Sequence, residues 1–246
     1  CRDVGFVVVT GHGVDPSVTK NAADEAAAFF RQTADEKLAV AAKGGAFGYI
    51  PLESEALGDD GDATLRPDLR EAFAMGPVAN LRPTAEDLKL TSLSAHDREV
   101  LDFCYQPTPW PKPSTPDACA TGMGAGLRTA MEELYHATAR LGNGLLQMFG
   151  RALGIDEELL LSKTTHHFSA MAAINYPPLD RGQLRPGQLR CGPHQDSGTL
   201  TIVWENAEGL EVLPRGKTTW QAVRAYAHSV LVSQPAYFSC RIAPWL

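Results

Sequence analysis

Hydrophobic and polar residues follow two periods along this chain, and the change from one to the other organises it. Val4-Gly5-Phe6-Val7-Val8-Val9-Thr10 is a β-branched run stopped by Gly11-His12-Gly13, which predicts a buried strand and then a turn. Asp15-Pro16 opens a helix, with Asp15 as N-cap and Pro16 at the first helical position, and Val18, Ala22, Ala26 and Phe29 form its apolar face. Thr33 and Glu36 have capping-box spacing for a second, short helix. The longest helical pattern is the stripe Leu127, Met131, Leu134, Leu141, Leu145, Met148 and Ala152, which predicts one helix near 127–153 packed on the outside of a sheet. Gly154-Ile155-Asp156 closes it, and Asp156 caps a short helix over Glu157 to Leu161.

After this helical stretch the period falls to two. Thr199 to Val203, Leu210 to Leu213 and Thr219 to Val223 read as strands, with a turn at Pro214-Arg215-Gly216. Two stretches break the pattern. Gln106 to Pro116 carries five prolines and Trp110 and is expected to cross the surface as a loop, because proline removes ladder donors and bars helix interiors. Gly58-Asp59-Asp60-Gly61-Asp62 lacks the late Glu and ligand spacing of a calcium loop and reads as a solvated loop.

Composition narrows the function classes. A formal charge of −7 with no basic patch argues against nucleic acid as a partner, and the apolar runs fall far short of the roughly 20 residues a membrane helix needs. Cys1, Cys104, Cys119, Cys191 and Cys240 are scattered without a Cys-x-x-Cys pair, which fits reduced thiols in a cytoplasmic protein. Cys191 reads as a small buried apolar side chain. The opening on Cys1 suggests a piece of a longer sequence.

The candidate chemistry sits in Gly192-Pro193-His194-Gln195-Asp196-Ser197-Gly198-Thr199-Leu200-Thr201-Ile202-Val203. In an extended segment residues two apart face the same way, so His194 and Asp196 can reach one ion. One imidazole and one carboxylate suit a borderline metal, and with a second His they form the facial set of non-haem Fe(II) oxygenases, which leaves coordination positions open. Other histidines read as structural. His12 shapes its turn between two glycines, and His166 and His167, adjacent and so facing opposite ways on a strand, are strand-edge residues.

The run from His194 through Trp220, with His-x-Asp-x-Gly-Thr-Leu-Thr, Gly-Leu-x-Val and Trp-x-x-Val, resembles the isopenicillin N synthase-like family of Fe(II)/2-oxoglutarate-dependent dioxygenases. Gly5-Phe6 through His12-Gly13-Val14, Gly48-Tyr49-Ile50-Pro51, Asp68 to Phe73 and Asn175-Tyr176-Pro177-Pro178 are similar to further segments of that family, with Ile174 where the family has Asn. The resemblance implies an α+β fold, mainly β, with a double-stranded β-helix (jelly-roll) core buttressed by helices including the long one near 127–153. It also implies a linear division into an N-terminal region 1–120, a partial oxygenase core 121–223 and a divergent tail 224–246. The implied activity is oxidation of a small molecule (hydroxylation, desaturation or ring closure) by a monomer using Fe(II), 2-oxoglutarate and O2, with ascorbate as accessory reductant. His194 and Asp196 would be metal ligands, and the Tyr176 hydroxyl would contact the oxoacid; a structural tyrosine before the Pro-Pro turn is the alternative for Tyr176.

The resemblance stops near Val223. The family's distal His and its Arg-x-Ser are not found: His228 follows Asp196 too closely, which leaves it a weak third-ligand candidate, and Arg241 is followed by Ile242 and Ala243. The closing strands are therefore expected to be missing and apolar sheet edges exposed, as in a truncated or mis-joined chain, with Ser229 to Ser233 as one substitute strand. Three readings stay open: an oxoacid-coupled oxygenase, an oxidase of the isopenicillin N synthase type that does without the oxoacid, and a catalytically impaired or silent homologue. A different metalloprotein holding zinc with His194, Asp196 and His228 would also need a placed base, and the sequence offers none.

Overall fold

The computed structural model describes residues 5–42, 44, 46–57, 66–112, 126–179, 185, 188–196, 198–214, 216–224, 229–233 and 239–242. The acidic loop 58–62, the prolines at 113 and 116, and His228 lie outside them. The contacts divide the chain into two compact units that are discontinuous in sequence, one formed by Cys1–Gly13, Pro51–Glu71 and Ile174–Leu246, the other by Val14–Ile50 and Ala72–Ala173.

The second unit holds the helices α1 (Pro16–Phe30), α2 (Ala34–Leu38), α3 (Ala95–Cys104), α4 (Gly126–Leu153) and α5 (Glu157–Ser162). Their starts follow the local chemistry. The Asp15 carboxylate accepts the Ser17 N–H at 2.8 Å, Thr33 and Glu36 close a reciprocal capping box, and the Asp156 carboxylate accepts the Glu158 N–H at 2.9 Å. Gly154 ends α4 in the left-handed region (φ 66°), where the Ile155 N–H returns to the Gly150 carbonyl at 2.9 Å. Strands β2 (Gly48–Ile50), β3 (Glu71–Met75) and β4 (Met171–Asn175) make a sheet in the order β2-β3-β4.

The core of this unit gathers on Phe73, which has no exposed surface. Phe29 of α1 meets Tyr49 and Phe73 edge-on at 5.8 and 5.0 Å, and α4 adds Leu127, Met131 and Tyr135 at successive four-residue steps. The anticipated stripe is buried at Leu127, Met131 and Leu145, but Met148 is 65% exposed and Ala152 is exposed too. Twenty-eight residues of helix span about 42 Å, whereas strands of three to five residues span at most about 17 Å, so the helix outruns the sheet it packs on. Trp110, in the proline-rich stretch, turns inward and lies 5.3 Å from the Phe73 ring. No helix among the described residues is long and apolar enough to cross a membrane.

The first unit contains two antiparallel sheets. One has the order β1-β9-β6, from β1 (Phe6–Thr10), β6 (Thr201–Val203) and β9 (Ser229–Ser233). The other has the order β5-β10-β7-β8, from β5 (Cys191–His194), β7 (Leu210–Leu213), β8 (Gln221–Ala222) and β10 (Ser239–Ile242). Sheets and helices together make the class α+β. Two expectations change here. The opening strand is not buried: β1 pairs only with β9 among the described strands, so Val7 and Val8 are each 38% exposed. The segment after Val223 does not stand outside the sheets or leave their inner positions open. β9 lies between β1 and β6, β10 lies between β5 and β7, and Val230 and Val232 have no exposed surface.

A central β9 predicts a large difference between two otherwise equal substitutions. Val232→Ala removes two fully buried methyl groups and should cost about 2–3 kcal/mol in urea denaturation, while Val7→Ala on the edge should cost less than about 1 kcal/mol. Equal costs would contradict the central position of β9.

Candidate metal centre

β5 is an edge strand, which is why it tolerates Pro193, a residue with no N–H to give to a ladder. It is fixed instead from both sides of its backbone. The Gly192 N–H donates to the buried carboxylate of Asp68 at 2.8 Å, whose other oxygen accepts the Leu57 N–H at 3.1 Å. Along its paired edge, β10 sets Cys240 opposite His194 and Ile242 opposite Cys191, with a bulge between. The bulge gives β5 one extra residue at the point where the imidazole must be aimed.

His194 Nδ1 lies 2.9 Å from the Gly192 carbonyl, to which its N–H donates, so Nε2 is the nitrogen presented to the site. Nε2 is 3.5 Å from Asp196 Oδ1 and 3.6 Å from Cys240 Sγ. Gln195 turns outward, as two-residue alternation requires. Ser233 Oγ donates to Asp196 Oδ2 at 3.3 Å, which leaves Oδ1 for the imidazole. One donor atom from each of His194, Asp196 and Cys240 falls within 4.8 Å of the others, and the two charged side chains are about three-quarters buried, at 22% and 26% exposure.

The electrostatics bind these groups together. The Asp196 carboxylate holds the His194 imidazolium far above its ordinary range, with Cys191 and Cys240 adding to it and burial opposing. His194 in turn lowers Asp196, against burial, with Thr201 and Ser233 helping. A position between an imidazole nitrogen and a carboxylate oxygen suits a proton or a divalent cation, and a metal bound here would displace the proton on Nε2.

Beside the cluster, burial raises the Tyr176 hydroxyl first, and the Cys191 thiol raises it further, so it stays a phenol able to donate. Arg70 lies 11% exposed between Glu55, at 2.9 Å, and Asp68, at 3.9 Å. Arg190 donates to the Pro177 carbonyl, just after Tyr176. Asn175 donates to the buried Glu71 at 2.8 Å.

The remaining candidates are elsewhere. His12 packs edge-on against Trp204 at 5.7 Å, between glycines of positive φ. His166 and His167 are not on a strand but follow the turn after α5. There His166 contacts the Leu81 carbonyl, and His167 stacks on Tyr135 with its Nδ1 2.9 Å from Ser169 Oγ. Cys191 is buried, its sulfur 3.7 Å from Nδ1, the nitrogen that faces away from the cluster. Arg241, next to Cys240 on the strand and so on its other face, pairs with Glu211 at 2.7 Å and stacks over Trp220 at 4.3 Å. Sequence reading missed Cys240, because no spacing rule joins it to a histidine 46 residues away. The one available signal is the short Ser-Cys-Arg-Ile strand, legible only once its partners are known.

Residues 1–112 match the model of the family described as non-haem dioxygenase in morphine synthesis N-terminal. Validamycin A dioxygenase of Streptomyces hygroscopicus subsp. limoneus is 29% identical over 217 residues, covering 85% of this chain and 52% of that protein. The 2-oxoglutarate-dependent dioxygenase thnC of Trichoderma harzianum is 26% identical over 236 residues, covering 92% and 62%. This chain thus spans about half to three-fifths of the length of these curated relatives. A full-length Neurospora crassa protein solved in complex with alpha-KG superposes with a TM-score of 0.73 at 17% identity, over 98% of this chain and 69% of that one, a likeness of fold.

Two carboxylates supply tests. Asp68→Asn leaves one acceptor for two N–H donors and should cost about 1–3 kcal/mol of stability, and by loosening β5 should weaken divalent-metal binding roughly ten- to a hundredfold by calorimetric titration. Unchanged metal affinity would remove Asp68 from the support of the site. Glu205, half-buried with no hydrogen-bond partner for either oxygen among the described residues, is pushed up by burial from 4.5 to about 7. A folded value above the unfolded one means that folding takes up a proton here. Stability is therefore greatest below the ordinary value and falls as pH rises from 4.5 to about 7. Glu205→Gln should flatten that fall and gain about 1–2 kcal/mol at pH 8, after allowance for solvent screening.

Proposed function

We propose that this chain, which belongs to the 2-oxoglutarate–Fe(II) oxygenase family, couples oxidation of a small organic molecule to turnover of 2-oxoglutarate and O2 at a metal held by His194 and Asp196. One observation carries the reading: the 3.5 Å approach of His194 Nε2 to Asp196 Oδ1 on a His-x-Asp segment where the Gly192 carbonyl already engages Nδ1 and Ser233 already engages Oδ2. An imidazole and a carboxylate fit ferrous iron, and they leave coordination positions open. When bound, iron with 2-oxoglutarate supplies the oxidising power of O2 to a substrate carbon.

Each residue then has a bounded task. His194 ligates through Nε2 because Gly192 occupies Nδ1. Asp196 ligates through Oδ1 because Ser233 occupies Oδ2. Asp68 keeps the ligand strand in place through the Gly192 N–H. Tyr176, kept protonated by burial and by the Cys191 thiol beside it, would be the hydroxyl donor that contacts the oxoacid. The frame we assign to these residues is the double-stranded β-helix, with the two antiparallel sheets of the first unit as its strands. Arg241 takes no part in gripping the oxoacid, since Glu211 and Trp220 hold it. That engagement favours a second reading, in which cosubstrate is held weakly and turnover is slow.

The test is succinate formation with Fe(II), 2-oxoglutarate and ascorbate in air. His194→Ala and Asp196→Ala should each abolish it. Tyr176→Phe should raise the 2-oxoglutarate concentration for half-maximal rate roughly five- to tenfold, the worth of one hydrogen bond, with a smaller effect on the maximal rate. Succinate formed equally well by the two alanine variants would overturn the assignment.

A further inference from the structure

We propose that Cys240 is a third protein ligand of this centre, so that the ion is held by nitrogen, oxygen and sulfur from His194, Asp196 and Cys240. The inference rests on the reading of His194 and Asp196 as ligands. Three features of the molecule support it. The register of β10 on β5 makes Cys240 the direct cross-strand partner of His194. Its sulfur approaches Nε2, the ligating nitrogen, at 3.6 Å, whereas the sulfur of Cys191 approaches Nδ1, which already donates to Gly192. The two separations from Nε2 also have the right size, and all three donor atoms lie within 4.8 Å of one another. Metal bonds of about 2.0–2.3 Å opened at a tetrahedral angle place nitrogen about 3.4 Å from oxygen and about 3.6 Å from sulfur. The observed distances are 3.5 and 3.6 Å.

The chemistry follows from the donor set. As the metal–sulfur bond forms, the Cys240 thiol gives its proton to solvent, and no electron changes hands. A thiolate is softer than imidazole or carboxylate, so it moves the preference of the site toward tetrahedral Zn(II) or Co(II) and away from Fe(II). A fourth position stays open for an exogenous ligand. Oxygenase chemistry would then compete with occupation by zinc, and the sulfur would set the balance between them.

Cobalt alone is the probe, titrated anaerobically into the whole chain and followed by absorption. The expected result is a near-ultraviolet sulfur-to-cobalt charge-transfer band that saturates together with the visible bands of tetrahedral cobalt. Cys240→Ser should remove the charge-transfer band and weaken cobalt binding roughly tenfold or more, while Cys191→Ser and Cys104→Ser keep the band. Circular dichroism of each variant checks that it folds. Visible cobalt bands that vanish in His194→Ala but never carry the sulfur band would overturn the inference and leave the His194–Asp196 reading standing. A sulfur band that survives Cys240→Ser would also overturn it. Failure of the parent chain to bind cobalt at all would overturn both.

Discussion

The site depends on one pairing, the antiparallel seating of β10 against β5 with Cys240 opposite His194. β5 is short, ends at His194, contains a proline and lies at the edge of its sheet among the described strands, so its own ladder alone fixes the imidazole poorly. Two outside constraints make up the difference. β10 closes one side of the strand, and the Asp68 carboxylate holds the Gly192 N–H on the other. β9 adds a third, since its pairing with β6 brings Ser233 onto the far oxygen of Asp196. His194 and Asp196 are therefore oriented largely by residues far from them in sequence.

This explains what the sequence made legible. Local chemistry is readable at three helix starts: Asp15, Thr33 with Glu36, and Asp156 each mark one by a bond that spans two or three residues. The shared face of His194 and Asp196 could be read in the same way, because alternation is a property of the strand itself. α3 was passed over although Ser94 and Asp97 form its capping box, because Asp stands where Glu or Gln is the usual signal. The tail is legible only in part. Ser229 to Ser233 is expected as one strand and is found as one, but its central place shows only in its pairing with both Phe6 to Thr10 and Thr201 to Val203. Cys240 is illegible on the same grounds, as its meaning lies wholly in a register that long-range pairing sets.

The charge balance around His194 and Asp196 is costly to build and correspondingly informative. Asp68, Glu71 and Arg190 are all nearly inaccessible, and each has a partner: Gly192 and Leu57 for Asp68, Asn175 for Glu71, Pro177 for Arg190. Burying ionisable groups without such partners would cost several kcal/mol apiece. This polar frame surrounds the His-x-Asp segment and Tyr176, whereas the core around Phe73 in the second unit is apolar and aromatic.

The central claim is that His194 and Asp196 bind a divalent metal together. X-ray absorption at the iron edge, recorded on the chain loaded anaerobically with one equivalent of Fe(II), tests it most directly. The expected spectrum contains the multiple-scattering signature of one imidazole together with carboxylate oxygen, and the imidazole signature disappears in His194→Ala. Iron whose surroundings contain no imidazole, or are unchanged in that variant, would contradict the claim.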